Sequence, residues 1–357
     1  MDEKFMWLML SFWTGGNINV IEKLDKYYKD IKKLIGLDKG DWYILAGKKV
    51  ITEKMAVSIV ENIEKYTEEY IKNILNENSI KYITFLDDDY PANLLKIEGF
   101  PKVLFYKGHM PDNKKVSVGM VGSRRCSRYG QRMCKTISKQ LSEYGVQIIS
   151  GLARGIDTYA HNGALEGGTP TFAVLGCGVN ICYPMENVET YMDIIKNGGG
   201  IISEYPPGVE ALGWHFPLRN RIISGISDSI AVIEAAENSG SFHTVRYALD
   251  QGKDVFAMPG RIDDELSSGP NSLLKSGAGV LTCGKDILQE MMFEIKPTIE
   301  NTSEDQIIKC IKNRDMDIEE LKEKTGLSIT ELENRLLELV LAGKIYEPTK
   351  NVYGLVV

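Results

Sequence analysis

Between Lys114 and Lys135 the chain places seven bases (Lys114, Lys115, Arg124, Arg125, Arg128, Arg132 and Lys135) and no acid. In their midst, at Gly122-Ser123, an apolar β-branched run from Val116 to Val121 stops. A segment of helical periodicity follows, with Met133, Ile137 and Leu141 on one face. Strand, small-residue turn and helix together offer free backbone N–H groups and a helix N-terminus, an arrangement suited to an anion. Arg124, directly after the turn, can fork onto a phosphate through two parallel hydrogen bonds. Arg128 and Lys135 fit either a phosphate contact or a solvated helix face.

Other residues could do acid–base chemistry. Asp157 and His161 stand four apart on one helix face, a spacing that serves proton transfer but is read here as a local hydrogen-bonded pair. Glu204 and Glu234 end strands near the same edge, and carboxylates beside a phosphate site keep a hydrolytic enzyme in view. Asp87-Asp88-Asp89 precede Pro91 with no spaced partner ligand and read as a solvated turn. His109 and His215 are single loop residues without partners. The six cysteines, at 126, 134, 177, 182, 283 and 310, form no CxxC and no pairing with the four histidines, so no metal or other cofactor is expected and a reducing cytoplasm fits.

The elements that position these residues alternate. Strands are expected at 116–122, 146–150, 171–176, 200–203, 229–234 and 254–258, with helices at 127–144, 155–166, 187–197, 217–226 and 241–251. Such alternation gives an α/β fold with a mainly parallel, doubly wound sheet, whose ligands bind outside the carboxyl ends of the strands. The turns at those ends are small-residue turns: Gly122-Ser123-Arg124, Ser150-Gly151 through Arg154-Gly155, Gly176-Cys177-Gly178 and Ser239-Gly240-Ser241. Several on one edge favour a phosphate-bearing ligand. Residues 1–78 read as a helical domain, with helices at 18–35 and 52–75. Its Gly15-Gly16 turn resembles a helix-hairpin-helix, but the turn carries no base before Lys23, so packing is the preferred role. The sheet domain is expected over 79–293, a polar linker over 294–304, and a winged-helix-like unit over 305–357. In that last unit the helix from Ser328 to Ala342 carries Glu331, Glu333 and Glu338 against Arg335. A groove-reading helix should be basic, so packing or protein contact is expected there. The net charge of −7 excludes a protein that coats nucleic acid with its whole surface, and no run approaches the ~18 apolar residues of a membrane span.

Read in order, the motifs resemble the DNA-processing protein A family (DprA, also called Smf). They are Tyr90-Pro91, Val103 to Gly108, Val121 to Arg124 with Ser127 and Tyr129-Gly130, and Ser150 to Asp157 with Ala160-His161. Ser203 to Pro206, Phe216 to Gly225, Glu234-Ala235, Ser239 to Ser241 and Val255 to Gly260 follow. The match spans roughly 80 to 292, and the ordered series is more specific than any one motif. The resemblance implies an extended Rossmann-like sheet and a non-enzymatic protein that binds single-stranded DNA, protects it and loads RecA recombinase onto it during natural transformation, as a dimer. It implies DNA contacts at Gly122, Ser123, Arg124, Ser127, Arg128, Gly151, Arg154, Gly155, Arg219, Asn220, Arg221, Ser239, Gly240 and Ser241. Of Arg219 and Arg221, one is expected at the ligand edge and the other on a carboxylate. Where the family usually has Ser-Leu-Ile-Thr, this chain has Ser241-Phe242-His243-Thr244, which either alters the pocket or repacks the helix start. The competing reading is a nucleotide-processing enzyme of the N-ribohydrolase type on a related fold. It would need Pro-Gly-Gly before Gly-Thr, and Pro259-Gly260 leads into Arg261-Ile262-Asp263 instead.

A symmetric dimer needs a self-complementary apolar patch. Leu273 and Leu274, with Ile287 and Leu288, are the candidates at the end of the sheet away from its first strand; an edge helix packed on its own sheet is the alternative.

Overall fold

A computed structural model describes residues 2–237, 239–291, 306–311, 314–341, 344–349 and 351–355. It divides into two compact units, Met1–Thr298 and Ile299–Val357. The expected linker at 294–304 lies outside the described residues.

The first unit opens with six helices, α1 (Glu3–Thr14), α2 (Ile18–Tyr28), α3 (Ile31–Ile35), α4 (Lys39–Gly47), α5 (Glu53–Lys65) and α6 (Glu68–Glu77). Helix α1 is buried from Trp7 through Thr14, as expected of a helix apolar on all sides. The continuous helices expected at 18–35 and 52–75 are each broken, and the cause is capping. Lys29 turns left-handed at φ 55° and the Asp30 side chain accepts from the Lys32 N–H at 2.9 Å. Thr67 likewise accepts from the Tyr70 N–H at 3.2 Å and starts α6.

Strands and helices then alternate: β1 (Lys81–Thr84), β2 (Val103–Gly108), β3 (Ser117–Val121), α7 (Arg128–Glu143), β4 (Gln147–Ser150), α8 (Ile156–Gly167), β5 (Thr171–Val174), α9 (Val188–Lys196), β6 (Gly200–Ser203), α10 (His215–Ile226), β7 (Ser229–Val232), α11 (Ser241–Asp250), β8 (Asp254–Ala257), α12 (Glu265–Lys275), β9 (Gly279–Val280) and α13 (Gly284–Glu290). The nine strands form one sheet in the order β1-β2-β6-β5-β4-β3-β7-β8-β9. Pairing is parallel from β6 to β9 along that order, and β2 joins β6 antiparallel. The chain therefore winds outward from β3 through β4, β5 and β6, then restarts on the other side of β3 with β7. The switch point lies between β3 and β7, where connecting loops diverge and leave a crevice.

Alternating residues feed opposite faces of the sheet. Val118, Met120 and Ile148 pack with α7, α8 and α13, whereas Val121, Ile149 and Val232 pack with α10 and α11. The boundary expected at 78/79 is no break in packing. Phe12 of α1 meets Phe105 of β2 at 5.7 Å, and the N-terminal helices share one core with Phe105, Ala173 and Ile201 of the sheet. Lys102 fastens this seam: its ammonium lies 4.3 to 5.5 Å from the ring centroids of Phe100, Phe85 and Trp7 and pairs with Asp25 at 2.9 Å. Ile287 and Leu288, expected as dimer contacts, are fully enclosed in this unit's own core, because α13 lays its apolar side against α7. Leu273 is half-buried against the sheet, as an edge helix packed on its own strands would have it.

The second unit contains α14 (Gln306–Ile311), β10 (Met316–Asp317), α15 (Ile318–Thr325), α16 (Ile329–Leu341), β11 (Ile345–Thr349) and β12 (Val352–Leu355). Its strands form a separate antiparallel sheet, β10-β12-β11, over a core of Ile307, Leu321, Leu332 and Leu336.

Candidate nucleic-acid interface

The carboxyl ends of the parallel strands surround a cavity of about 900 Å³ at the switch point. Its wall takes residues from five successive connections: Gly122, Ser123, Arg124 and Arg125 after β3, Ala153 after β4, Tyr183 after β5, Phe216, Arg219 and Asn220 on α10, and Ser239, Gly240 and Ser241 after β7. A small annex of about 50 Å³ adds Gly151 and Arg154 to Arg124, Tyr183 and Phe216.

The arginines differ in what they can still bind. Arg124 is exposed, forms no ion pair among the described residues, and holds its guanidinium carbon 5.5 Å from the Phe216 ring centroid. Phe216 in turn lies 5.5 Å from the Tyr183 ring. Arg154 is exposed but forked onto Glu186, with Nη2 to Oε2 at 2.9 Å. Arg219 is 3 % exposed and donates to the carbonyls of Gly151, at 2.8 Å, and Val174. Burial lowers its pKa to about 10, with Asp157 opposing the fall. Arg221 does not reach the cavity: its guanidinium is buried against Glu204. The carboxylate-facing arginine is thus Arg221, and Arg219 takes the cavity wall.

The turns are held by groups that look catalytic in the sequence. Ser127 caps α7, its Oγ accepting from the Gly130 N–H at 3.0 Å, and both its N–H and its hydroxyl donate to the Glu234 carboxylate, at 2.8 and 2.6 Å. Gly130 leaves room for that carboxylate, which a Cβ there would strike. Ser127 and Glu234 form a clasp between the loops after β3 and β7, not part of the cavity wall. Asp157 accepts from the N–H groups of Gly151 and Ala153, at 3.1 and 3.3 Å, and ties down the turn after β4. Burial raises its pKa; Arg219 and the two amides pull the other way. It makes no hydrogen bond to His161, contrary to the expected pair. His161 bonds Thr171 Oγ1 at 2.8 Å, and burial lowers its pKa to about 3. His215 also differs from expectation: it is buried, bonded through Nδ1 to the Gly176 carbonyl at 3.0 Å, and stacked 4.0 Å from Tyr205.

Arg128 is exposed at the start of α7, outside the cavity. Phe242 turns inward against the core below α10 and α11, while His243 faces solvent, so this departure repacks the helix start without lining the cavity. Gly155 is a structural hinge: at φ 73° it starts α8, and a Cβ would run into the Ser123 carbonyl oxygen and lie 2.8 Å from the Arg124 carbonyl. Gly155→Ala is therefore expected to cost about 1–3 kcal/mol and displace the Ser123-Arg124 turn. Thermal unfolding together with ligand binding checks this; an unchanged melting curve with unchanged binding would contradict it.

Tyr183 escapes a sequence reading because it belongs to no motif and meets Phe216 only through strand order. Among the described residues no cluster of His, Cys, Asp and Glu could hold a metal ion, and no helix is long and apolar enough to cross a membrane.

The sequence model of the family described as DNA recombination-mediator protein A matches residues 81–292. The DNA processing protein DprA of Streptococcus pneumoniae is 44% identical over 210 residues, which is 59% of this chain and 74% of the relative. The X-ray structure of DprA from Streptococcus pneumoniae superposes with a TM-score of 0.67 at 34% identity, covering 81% of this chain and 98% of that one. A structure described as showing the single-stranded DNA binding mode of DNA processing protein A from Helicobacter pylori superposes with a TM-score of 0.53 at 28% identity, covering 60% of this chain and 97% of that one.

Proposed function

The chain belongs to the DNA recombination-mediator protein A family, a family of mediators and not of enzymes, and we propose that it binds single-stranded DNA in the cavity at the carboxyl edge of its sheet. One observation carries this reading. The Arg124 guanidinium, without an ion pair among the described residues, sits over Phe216 beside Tyr183, so a phosphate-binding cation and two stacking rings share one wall. Grooves for single strands combine cations that follow the backbone with aromatic faces on which bases stack, whatever the sequence. The Helicobacter pylori relative described by its single-strand binding mode supports the same ligand.

In this reading the protein protects the strand and loads a RecA recombinase onto it during natural transformation, in the cytoplasm, where six free thiols are at home. It acts as a homodimer, because two short pockets on one strand raise avidity by roughly 10²–10⁴ without a new contact. With Ile287 and Leu288 enclosed, the dimer contact is to be sought at Leu273 and Leu274. The ribohydrolase alternative loses its candidate acids: Glu234 is held by Ser127 and Glu204 by Arg221.

The test is competition for a labelled single-stranded oligonucleotide by unlabelled single strand, duplex and mononucleotides. Single strand should compete best; mononucleotides competing as well would overturn the reading. A chain ending near residue 298 should bind as the full chain does, because residues 300–357 carry eight bases against twelve acids and form a unit with its own core. Loss of binding by that folded fragment would place the DNA site elsewhere.

A further inference from the structure

The outward face of α7 carries a row of cations that the cavity does not use. Arg128, Arg132 and Lys139, with Thr136 between, recur at helical spacing and are all exposed. None of the three bases makes an ion pair among the described residues. Lys135, just off the row, shows the ordinary alternative, pairing with Glu166 at 2.6 Å. Tyr129 adds a ring to the row: it is 47% exposed, and the Arg132 guanidinium carbon lies 5.9 Å from its centroid.

Position turns this row into a path. Arg125 lines the cavity and Arg128 begins α7 three residues later, so the row starts at the cavity lip. From Arg128 to Lys139 it runs about 16 Å at ~1.5 Å per residue. Like charges at this spacing repel one another, and here, on a chain of net charge −7, no carboxylate among the described residues pairs with them. An extended polyanion arriving from the cavity would.

We propose that this face of α7 is an outer track for the same single strand. It holds phosphates of nucleotides that have left the cavity, while Tyr129 offers its ring to one of their bases. The inference rests on the cavity being the single-strand site, and it adds a length dependence that the cavity alone does not have. A short oligonucleotide fills the cavity and ignores the track; a longer one engages both.

The experiment measures fluorescence anisotropy with labelled oligothymidylates of about four and about sixteen nucleotides, the range that single-strand grooves span. The full chain is compared with the triple variant R128E/R132E/K139E. The long oligonucleotide should lose about tenfold or more in affinity, and its log–log salt slope should become shallower by about 2, at ~0.7 for each of three phosphates. The short one should bind as before. Should charge reversal impair folding, R128Q/R132Q/K139Q gives a smaller loss in the same direction. Unchanged affinity and slope for the long strand would overturn the track. So would equal losses at both lengths, which would mean that the substitutions act on the cavity. Arg124→Ala, run in parallel, should weaken both lengths. If it weakens neither, the cavity reading fails, and the continuing strand with it.

Discussion

Replacing Arg124 with alanine is expected to lower single-strand affinity by about ten- to a hundredfold, the scale of one lost charge-assisted hydrogen bond to phosphate. Three of the other arginines around this edge are less able to act. Arg154 is already forked onto Glu186, Arg219 spends its donors on the Gly151 and Val174 carbonyls, and Arg221 is buried with Glu204. Arg124 and Arg125 are exposed and without a carboxylate partner among the described residues, and of the two Arg124 is the one seated over Phe216. The loss should be the same for every base composition, because phosphate contacts carry no sequence information. The salt slope should become shallower by about 0.7 for each phosphate released. Arg124→Lys should recover only part of the affinity: a lysine keeps the charge but not the planar fork or its stacking on Phe216. Titration of oligothymidylate at several salt concentrations reads all three effects. An alanine variant with wild-type affinity and slope would remove Arg124 from the interface.

How much of this was legible beforehand depends on how local each signal is. The strands from β3 to β8 are short, largely apolar runs, several of them ended by small-residue turns, and their helices start within about two residues of expectation, the usual latitude of boundary assignment. Gly122-Ser123 and Ser239-Gly240 could be placed on one edge because alternation forces parallel strands. What escaped is non-local. Tyr183 and Phe216 leave different strands and meet only in three dimensions. Asp157 and His161 share a helix face, yet Asp157 bends back to the amides of its own preceding turn while His161 reaches Thr171 on β5. An apolar pair such as Ile287-Leu288 reads alike whether it faces a partner or its own sheet. The breaks at Lys29 and Tyr66 were hidden because charged periodic residues run through them, and only the caps at Asp30 and Thr67 decide.

Arg221→Met, lastly, is expected to destabilise the first unit by about 3–5 kcal/mol, the cost of leaving one partner of a buried ion pair alone. Arg221 and Glu204 are 5% and 4% exposed, so water does not replace the lost guanidinium. Pairing Arg221→Met with Glu204→Leu should recover most of the loss, since removing both charges removes the stranded one; a double-mutant cycle in urea measures that coupling. The single variant should also carry a pH signature. Burial raises the Glu204 pKa above its ordinary 4.5, and in the native protein Arg221 opposes that rise. Without Arg221 the opposition is gone, so the folded variant keeps the Glu204 proton to higher pH than the unfolded chain does. Over that window the folded state binds more protons, and stability must fall as pH rises. The deficit of Arg221→Met should therefore be smallest near and below pH 4.5 and grow above it. Where the variant is still folded, its salt slope on single strands should match wild type, because Arg221 does not line the cavity. A pH-independent deficit would mean that Glu204 is not left stranded. A shallower slope would put Arg221, against its buried position, on the DNA.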